Sequence, residues 1–204
     1  MVQAPPQPVA FEAFSQWLPD SSEYRYELHR GMIVEMPKPR GKHSEIAGFL
    51  NGKMFTEIER QQLPYAIPRE CILRSLGGES GYEPDVIVLD RSQLAAELLW
   101  ERESVITSGQ SVKLVVEVVS TNWQDDYLHK LADYQALGIL EYWIVDYAAL
   151  GGRLYIGNPK LPTLSVYTLM PDGEYEVQKF QDDQPIVSAI FPELGLIASQ
   201  VLGL

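Results

Sequence analysis

The sequence predicts an α/β domain whose strands pair in both parallel and antiparallel fashion. The aliphatic run Leu114-Val115-Val116-Glu117-Val118-Val119 ends at Ser120, a helical pattern follows to about residue 137, and Glu141-Tyr142-Trp143-Ile144-Val145-Asp146 is a second strand. That succession is a βαβ unit, which sets its two strands side by side and parallel, with a right-handed crossover helix over one face. On either side of it, apolar runs separated by turn residues read as antiparallel hairpins. With 204 residues and 46% hydrophobic content, the chain suits one compact domain with an ample core rather than a disordered segment.

Residues 1–10 are expected to form a flexible lead. Three prolines fall within the first nine positions, without apolar periodicity and without the basic start and apolar stretch of a signal peptide. A single domain then occupies 11–204. Residues 11–18 carry a short amphipathic helix pattern stopped by Pro19-Asp20. Strands over 24–28 and 32–36 flank Arg30-Gly31, a hairpin turn in which Gly31 can take positive φ. A loop over 37–41 leads into a helix reaching about residue 59, marked by Ile46, Phe49, Leu50, Phe55 and Ile58. A strand is expected over 66–73, a flexible turn at Gly77, Gly78 and Gly81, and an antiparallel partner strand in Glu83-Pro84-Asp85-Val86-Ile87-Val88-Leu89-Asp90. Residues 91–109 fit either a short helix through Leu94, Leu98 and Leu99 or an exposed charged excursion. Segments 153–156, 164–169 and 175–180 read as a strand meander with Pro171-Asp172-Gly173 as one turn. No internal repeat or linker interrupts the chain.

A net charge of −12 argues against a protein that coats nucleic acid through bulk electrostatics, so any DNA contact must be local. The acidity is uneven: residues 171–204 hold six acidic residues against Lys179, whereas Lys38, Arg40, Lys42 and His43 cluster. That cluster reads either as a solvated turn before a helix or as a loop that contacts phosphates. The single cysteine, Cys71, rules out an internal disulfide and suits a reducing compartment, so a cytoplasmic location is expected. No stretch approaches the ~18 apolar residues of a membrane helix.

Glu117 carries the functional argument. An unpaired carboxylate in a core strand costs several kcal/mol or more, so it implies a nearby cation, a metal ion or a strongly raised pKa. Asp85 shares the parity of Ile87 and Leu89, which lets a second carboxylate point at the same face. On the following helix, at about 100° per residue, Tyr134 lies about 40°, Tyr127 about 60° and Leu131 about 100° from Lys130. Lys130 therefore sits at the rim of the buried stripe, with Asp126 one turn earlier able to hold its ammonium. Asp, Glu and Lys together can carry metal-assisted hydrolysis, and equally Glu117 and Lys130 can form a structural ion pair. His43 at a helix entrance reads as a capping or surface residue. Glu27 and Glu35 flank the hairpin turn and are expected on its exposed side, within reach of the site. Tyr142 and Trp143 read as core aromatics. The glycines match neither the Walker nor the dinucleotide spacing, and no Ser/His/Asp arrangement is present.

The chain resembles the Uma-type restriction endonuclease family, a branch of the PD-(D/E)XK nuclease superfamily. The likeness runs through Tyr26-Glu27-Leu28, Gly31, Met36, His43, Glu83-Pro84-Asp85-Val86, the Leu114 to Ser120 strand, Asp126 with Lys130 and Tyr134, and the Glu141 to Asp146 strand. It implies a restriction-endonuclease-like core, a mixed sheet flanked by helices, with additional β-hairpins. It further implies Asp85 and Glu117 as Mg²⁺ ligands, with Mn²⁺ as a substitute, joined by the Val118 carbonyl. Val119 stands where the motif wants lysine, so that role passes to Lys130, with Glu27, His43 and Asp126 in support. DNA is the implied substrate, Lys38, Arg40 and Lys42 its phosphate contacts, and a homodimer the expected assembly for cutting two strands. The other reading is a catalytically silent nuclease-fold protein that acts as a binding module.

Overall fold

In a computed structural model the protein is described over residues 7–19, 23–39 and 41–204. Most of the expected lead, and Arg40, lie outside the described residues.

The chain opens with helix α1 (Phe11–Trp17) and the hairpin β1 (Tyr24–His29) and β2 (Met32–Pro37). Arg30 and Gly31 take φ of 50° and 80° at the turn, which only glycine adopts without penalty at the second position. A Cβ on Gly31 would lie 2.6 Å from Pro8 Cβ, so the chain before α1 packs directly on this turn. Helix α2 (Gly41–Gln61) follows, then short strands β3 (Tyr65–Ala66), β4 (Ile72–Arg74) and β5 (Gly81–Tyr82), and β6 (Val86–Asp90). The strand expected over 66–73 is therefore split. Pro68 has no N–H to donate to a ladder, and the two pieces pair in different sheets.

Residues 91–111 resolve into a 3₁₀ turn, helix α3 (Trp100–Glu103), strand β7 (Val105–Ile106) and a second 3₁₀ turn. Glu97 holds this excursion together from its centre. Its buried carboxylate accepts bonds from Thr107 N, Ser108 N and Ser111 Oγ at 2.9, 3.0 and 2.6 Å.

The βαβ unit forms as expected. Strand β8 (Val112–Val118) runs parallel to β9 (Glu141–Asp146), joined by a π-helical segment (Asp125–Lys130) continuous with α4 (Leu131–Leu137). Arg153–Ile156 is instead the short helix α5, bounded by Gly152 and Gly157. A four-residue apolar run is too short for periodicity to separate helix from strand. Strands β10 (Thr163–Leu169) and β11 (Tyr175–Phe180) form the expected antiparallel hairpin, and α6 (Ser199–Leu202) closes the chain.

Two open sheets result. The six-stranded sheet has the order β11-β10-β9-β8-β6-β3 and the five-stranded one β2-β1-β5-β4-β7. One face of the larger sheet, with Val88, Val116 and Val145, is covered by Ile46, Leu50, Met54 and Ile58 of α2, spaced four apart in sequence, and by Val201 of α6. Its other face, with Ile87, Val115 and Ile144, is covered by Tyr127 and Tyr134. Alternation along β8 puts Glu117 on this second face, under the helix that carries Lys130. Among the described residues no helix is long and apolar enough to cross a membrane.

Candidate active site

Glu117 is only 2% exposed, yet it is not alone. Tyr134 donates its hydroxyl to Glu117 Oε1 at 2.8 Å, and Lys130 Nζ lies 3.1 Å from the same oxygen. Lys130 comes from the π-helical segment, whose wider turn places Asp126 and Lys130 together on the buried side. Its ammonium also lies 3.2 Å from Glu27 Oε1 and 3.7 Å from Asp126 Oδ1, over the Tyr82 ring. Three carboxylates thus surround a group with three donors.

Asp85 is held beside this cluster. Its Oδ2 accepts the Val118 N–H at 2.9 Å and faces His43 Nε2 at 3.2 Å, while Oδ1 accepts Arg25 Nη1 at 3.0 Å. Arg25 also donates to the Glu83 carbonyl oxygen. Glu27 is fixed in turn by the Glu83 N–H at 3.0 Å and by His29 Nε2 at 2.7 Å.

These contacts divide the carboxylates electrostatically. Burial would raise Asp85, but the hydrogen bond and charge of His43, with Arg25 and the Val118 N–H, outweigh it and hold it at about 2. Burial is likewise overcome at Glu27 by Lys130, His29 and the Glu83 N–H, again to about 2. At Glu117 burial prevails over Lys130, reinforced by Asp85 and Glu27, and the carboxyl is pushed up to about 7. Asp126 is raised for the same reasons. Burial works against charge on Lys130 too, but Glu117, Glu27 and Asp126 keep it protonated.

A cleft of about 510 Å³ opens over Asp85, Glu117, Asp126 and Lys130, bordered by Glu35, Lys38 and His43. Among the described residues the ion-pair partners of Glu27, Asp85, Glu117 and Asp126 are Lys130, Arg25, His29 and His43, so four carboxyls share two permanent cations, and burial with mutual repulsion raises Glu117 and Asp126. The donor set is hard carboxylate oxygen, the type that Mg²⁺ prefers, and that ion needs only one or two carboxylates because it keeps several waters. The residues fit such a hydrated ion in character. Among the described residues no group of three or more His, Cys, Asp or Glu side chains is placed to cage a metal outright.

Asp85, Glu117, Lys130 and Asp126, singled out in the sequence, are thus brought together. Two expectations need correction. Glu27 is wholly buried rather than on the exposed side of the hairpin, because the smaller sheet turns that face onto Lys130. His43 is a partner of Asp85 rather than a surface cap. Val118 contributes its N–H, to Asp85. Lys38 and Lys42 are exposed, and Lys38 alone of the two lines the cleft. Arg25 and His29 went unnoticed in the sequence. The signal was the alternation Arg25-Tyr26-Glu27-Leu28-His29, which puts three ionisable side chains on one side of β1.

The fold and the family model that the chain matches place it in a nuclease-like, PD-(D/E)XK-related superfamily. Residues 11–199 match the family model described as "Uma2: Putative restriction endonuclease", and the chain belongs to that family. It also shares its fold with the crystal structure of "a putative nuclease belonging to DUF820 from Anabaena variabilis ATCC 29413". That chain is 19% identical, with a TM-score of 0.70, over 96% of this chain and 98% of the other. No curated protein matches the sequence.

Proposed function

We propose that the protein is an endonuclease that hydrolyses DNA phosphodiester bonds with Mg²⁺, for which Mn²⁺ can substitute. The observation that carries this reading is one cleft lined by Asp85 and Glu117, with Lys130 Nζ 3.1 Å from Glu117. Asp85, Glu117 and the Val118 carbonyl would hold the ion, which when bound supplies an acidified water and positive charge for the scissile phosphate. Tyr134 fixes the Glu117 carboxylate through its hydroxyl, and Arg25 and His43 fix Asp85. Lys130 orients the attacking water and offsets charge that grows in the transition state. Lys38 at the cleft border, with Arg40 and Lys42 beside it in sequence, contacts the phosphate backbone, and a homodimer would address two strands at once.

A second reading draws on the same geometry. Every oxygen of Asp85 already has a protein partner and Lys130 is fully ringed by carboxylates, which suits a catalytically silent module that keeps its charges for structure. The deciding experiment is cleavage of supercoiled and linear DNA by purified protein in Mg²⁺ or Mn²⁺, with and without chelator, beside Asp85→Asn and Glu117→Gln. Cleavage that needs metal and both carboxylates supports the enzyme. None under any metal leaves the binding module.

A further inference from the structure

The cleft does not end at Arg25 and Lys38. Both residues also line a second cavity of about 640 Å³, which Glu117 does not border. Its walls come from α1, the start of β1, and the segments around residues 70–72 and 102–104.

The chemistry of this cavity differs from that of the cleft. Glu83, Glu103 and Glu70 border it, but each has an arginine partner: Arg25 at 3.4 Å, Arg102 at 2.6 Å and Arg69 at 3.5 Å. Arg25 divides its charge between Glu83 and Asp85, whereas among the described residues Lys38 has no carboxylate partner, so one uncommitted cation borders both spaces. The same cavity is lined by Tyr24 and Tyr26 and by Gln16 and Ser104, which carry hydrogen-bonding groups. Tyr26 is braced edge-on by Trp17, with centroids 5.0 Å apart. An anionic group at Lys38 attached to a flat, neutral, hydrogen-bonding ring is the ligand that this lining fits.

We propose that the second cavity is a nucleobase subsite, which takes an unpaired base next to the phosphate lying at Lys38. A base in a duplex is stacked and paired and cannot enter a concave pocket, so the substrate class is single-stranded nucleic acid or an extruded nucleotide. This rests on the nuclease reading of the cleft and specifies which form of nucleic acid that cleft accepts.

Two variants at exposed positions away from the carboxylate cluster test it: Tyr24→Ala removes a ring, and Gln16→Trp fills the cavity. Binding is measured in metal-free buffer with a single-stranded oligothymidylate, the same strand with one abasic site moved along it, and a blunt duplex of equal length. Thermal unfolding confirms that each variant is folded, and either suffices. The expected result is tighter binding of the single strand than of the duplex by wild type, with one position sensitive to base removal. Each variant should lose at least about fivefold in single-strand affinity, the low end of one lost stacking contact, and the sensitive position with it. Wild type that cuts DNA while both variants bind the single strand unchanged overturns the subsite and leaves the nuclease reading intact. Wild type that neither binds nor cuts any nucleic acid overturns both.

Discussion

Lys130 Nζ lies 3.2 Å from Glu27 Oε1, although 103 residues separate the two in the chain. The contact ties β1 of the smaller sheet to the helix that covers the larger one. It also commits the lysine to a role in folding whatever its role in chemistry.

Lys130→Met, which keeps the stem and helix propensity but deletes the charge, should therefore affect both. Without metal it strands Glu27 and Glu117 and should cost roughly 3–5 kcal/mol in urea unfolding. If a divalent ion neutralises the carboxylates, Mg²⁺ should restore part of that loss while cleavage remains down by a factor of ~10² or more. A variant as stable as wild type without metal would contradict the buried ion pair.

Glu27→Gln reports the same contact through pH. The folded carboxyl is depressed from 4.5 to about 2, so its stabilisation is full above 4.5 and disappears as pH falls through about 2. The stability gap between wild type and Glu27→Gln should be constant near neutrality and close across that window, as measured by urea unfolding at stepped pH. A gap unchanged down to pH 2 would mean that Glu27 is not held as an anion.

Much of this was legible in the chain, and the rest was hidden for identifiable reasons. The βαβ unit, α2 and the Arg30-Gly31 turn are local patterns, and Glu117 in an aliphatic run is a local anomaly. The burial of Glu27 was not legible, because alternation along β1 says which residues share a face and not which sheet will cover it. Likewise the 3.6-residue wheel placed Lys130 at the rim of the buried stripe. The π-helical segment turns it fully inward, 3% exposed, onto three carboxylates.

Metal binding should appear as mass action. A divalent ion that binds only the folded protein adds about 2.7 kcal/mol at a hundredfold excess over Kd. Thermal unfolding of wild type should therefore rise with Mg²⁺ or Mn²⁺, and the rise should vanish in Asp85→Asn. An equal rise in both proteins would remove Asp85 from the metal site.

Cys71 gives a control on the fold. It is 4% exposed, and burial, aided by the Glu97 and Glu83 charges, pushes its thiol up to about 12. Iodoacetamide at pH 8 should leave it unmodified in the native protein and alkylate it readily in denaturant, as read by mass spectrometry. Rapid native alkylation would place residue 71 outside the core.

The basic loop offers the sharpest separation of DNA contact from simple solvation. Lys38 and Lys42 are exposed on an otherwise acidic protein, and Lys38 borders the cleft. Each phosphate contact releases about 0.9 of a counterion from duplex DNA, so each lysine that touches a phosphate contributes that much to the slope of log affinity against log salt. Lys38→Ser should weaken DNA binding and flatten the slope by about 0.9, and adding Lys42→Ser and Arg40→Ser should flatten it by up to about three such steps in all. Thermal stability should hardly change, because the two described lysines are solvent-exposed and neither forms an ion pair among the described residues. Titration of labelled DNA at several salt concentrations decides the matter: an unchanged slope in the triple variant would reduce the loop to a solvated turn before α2.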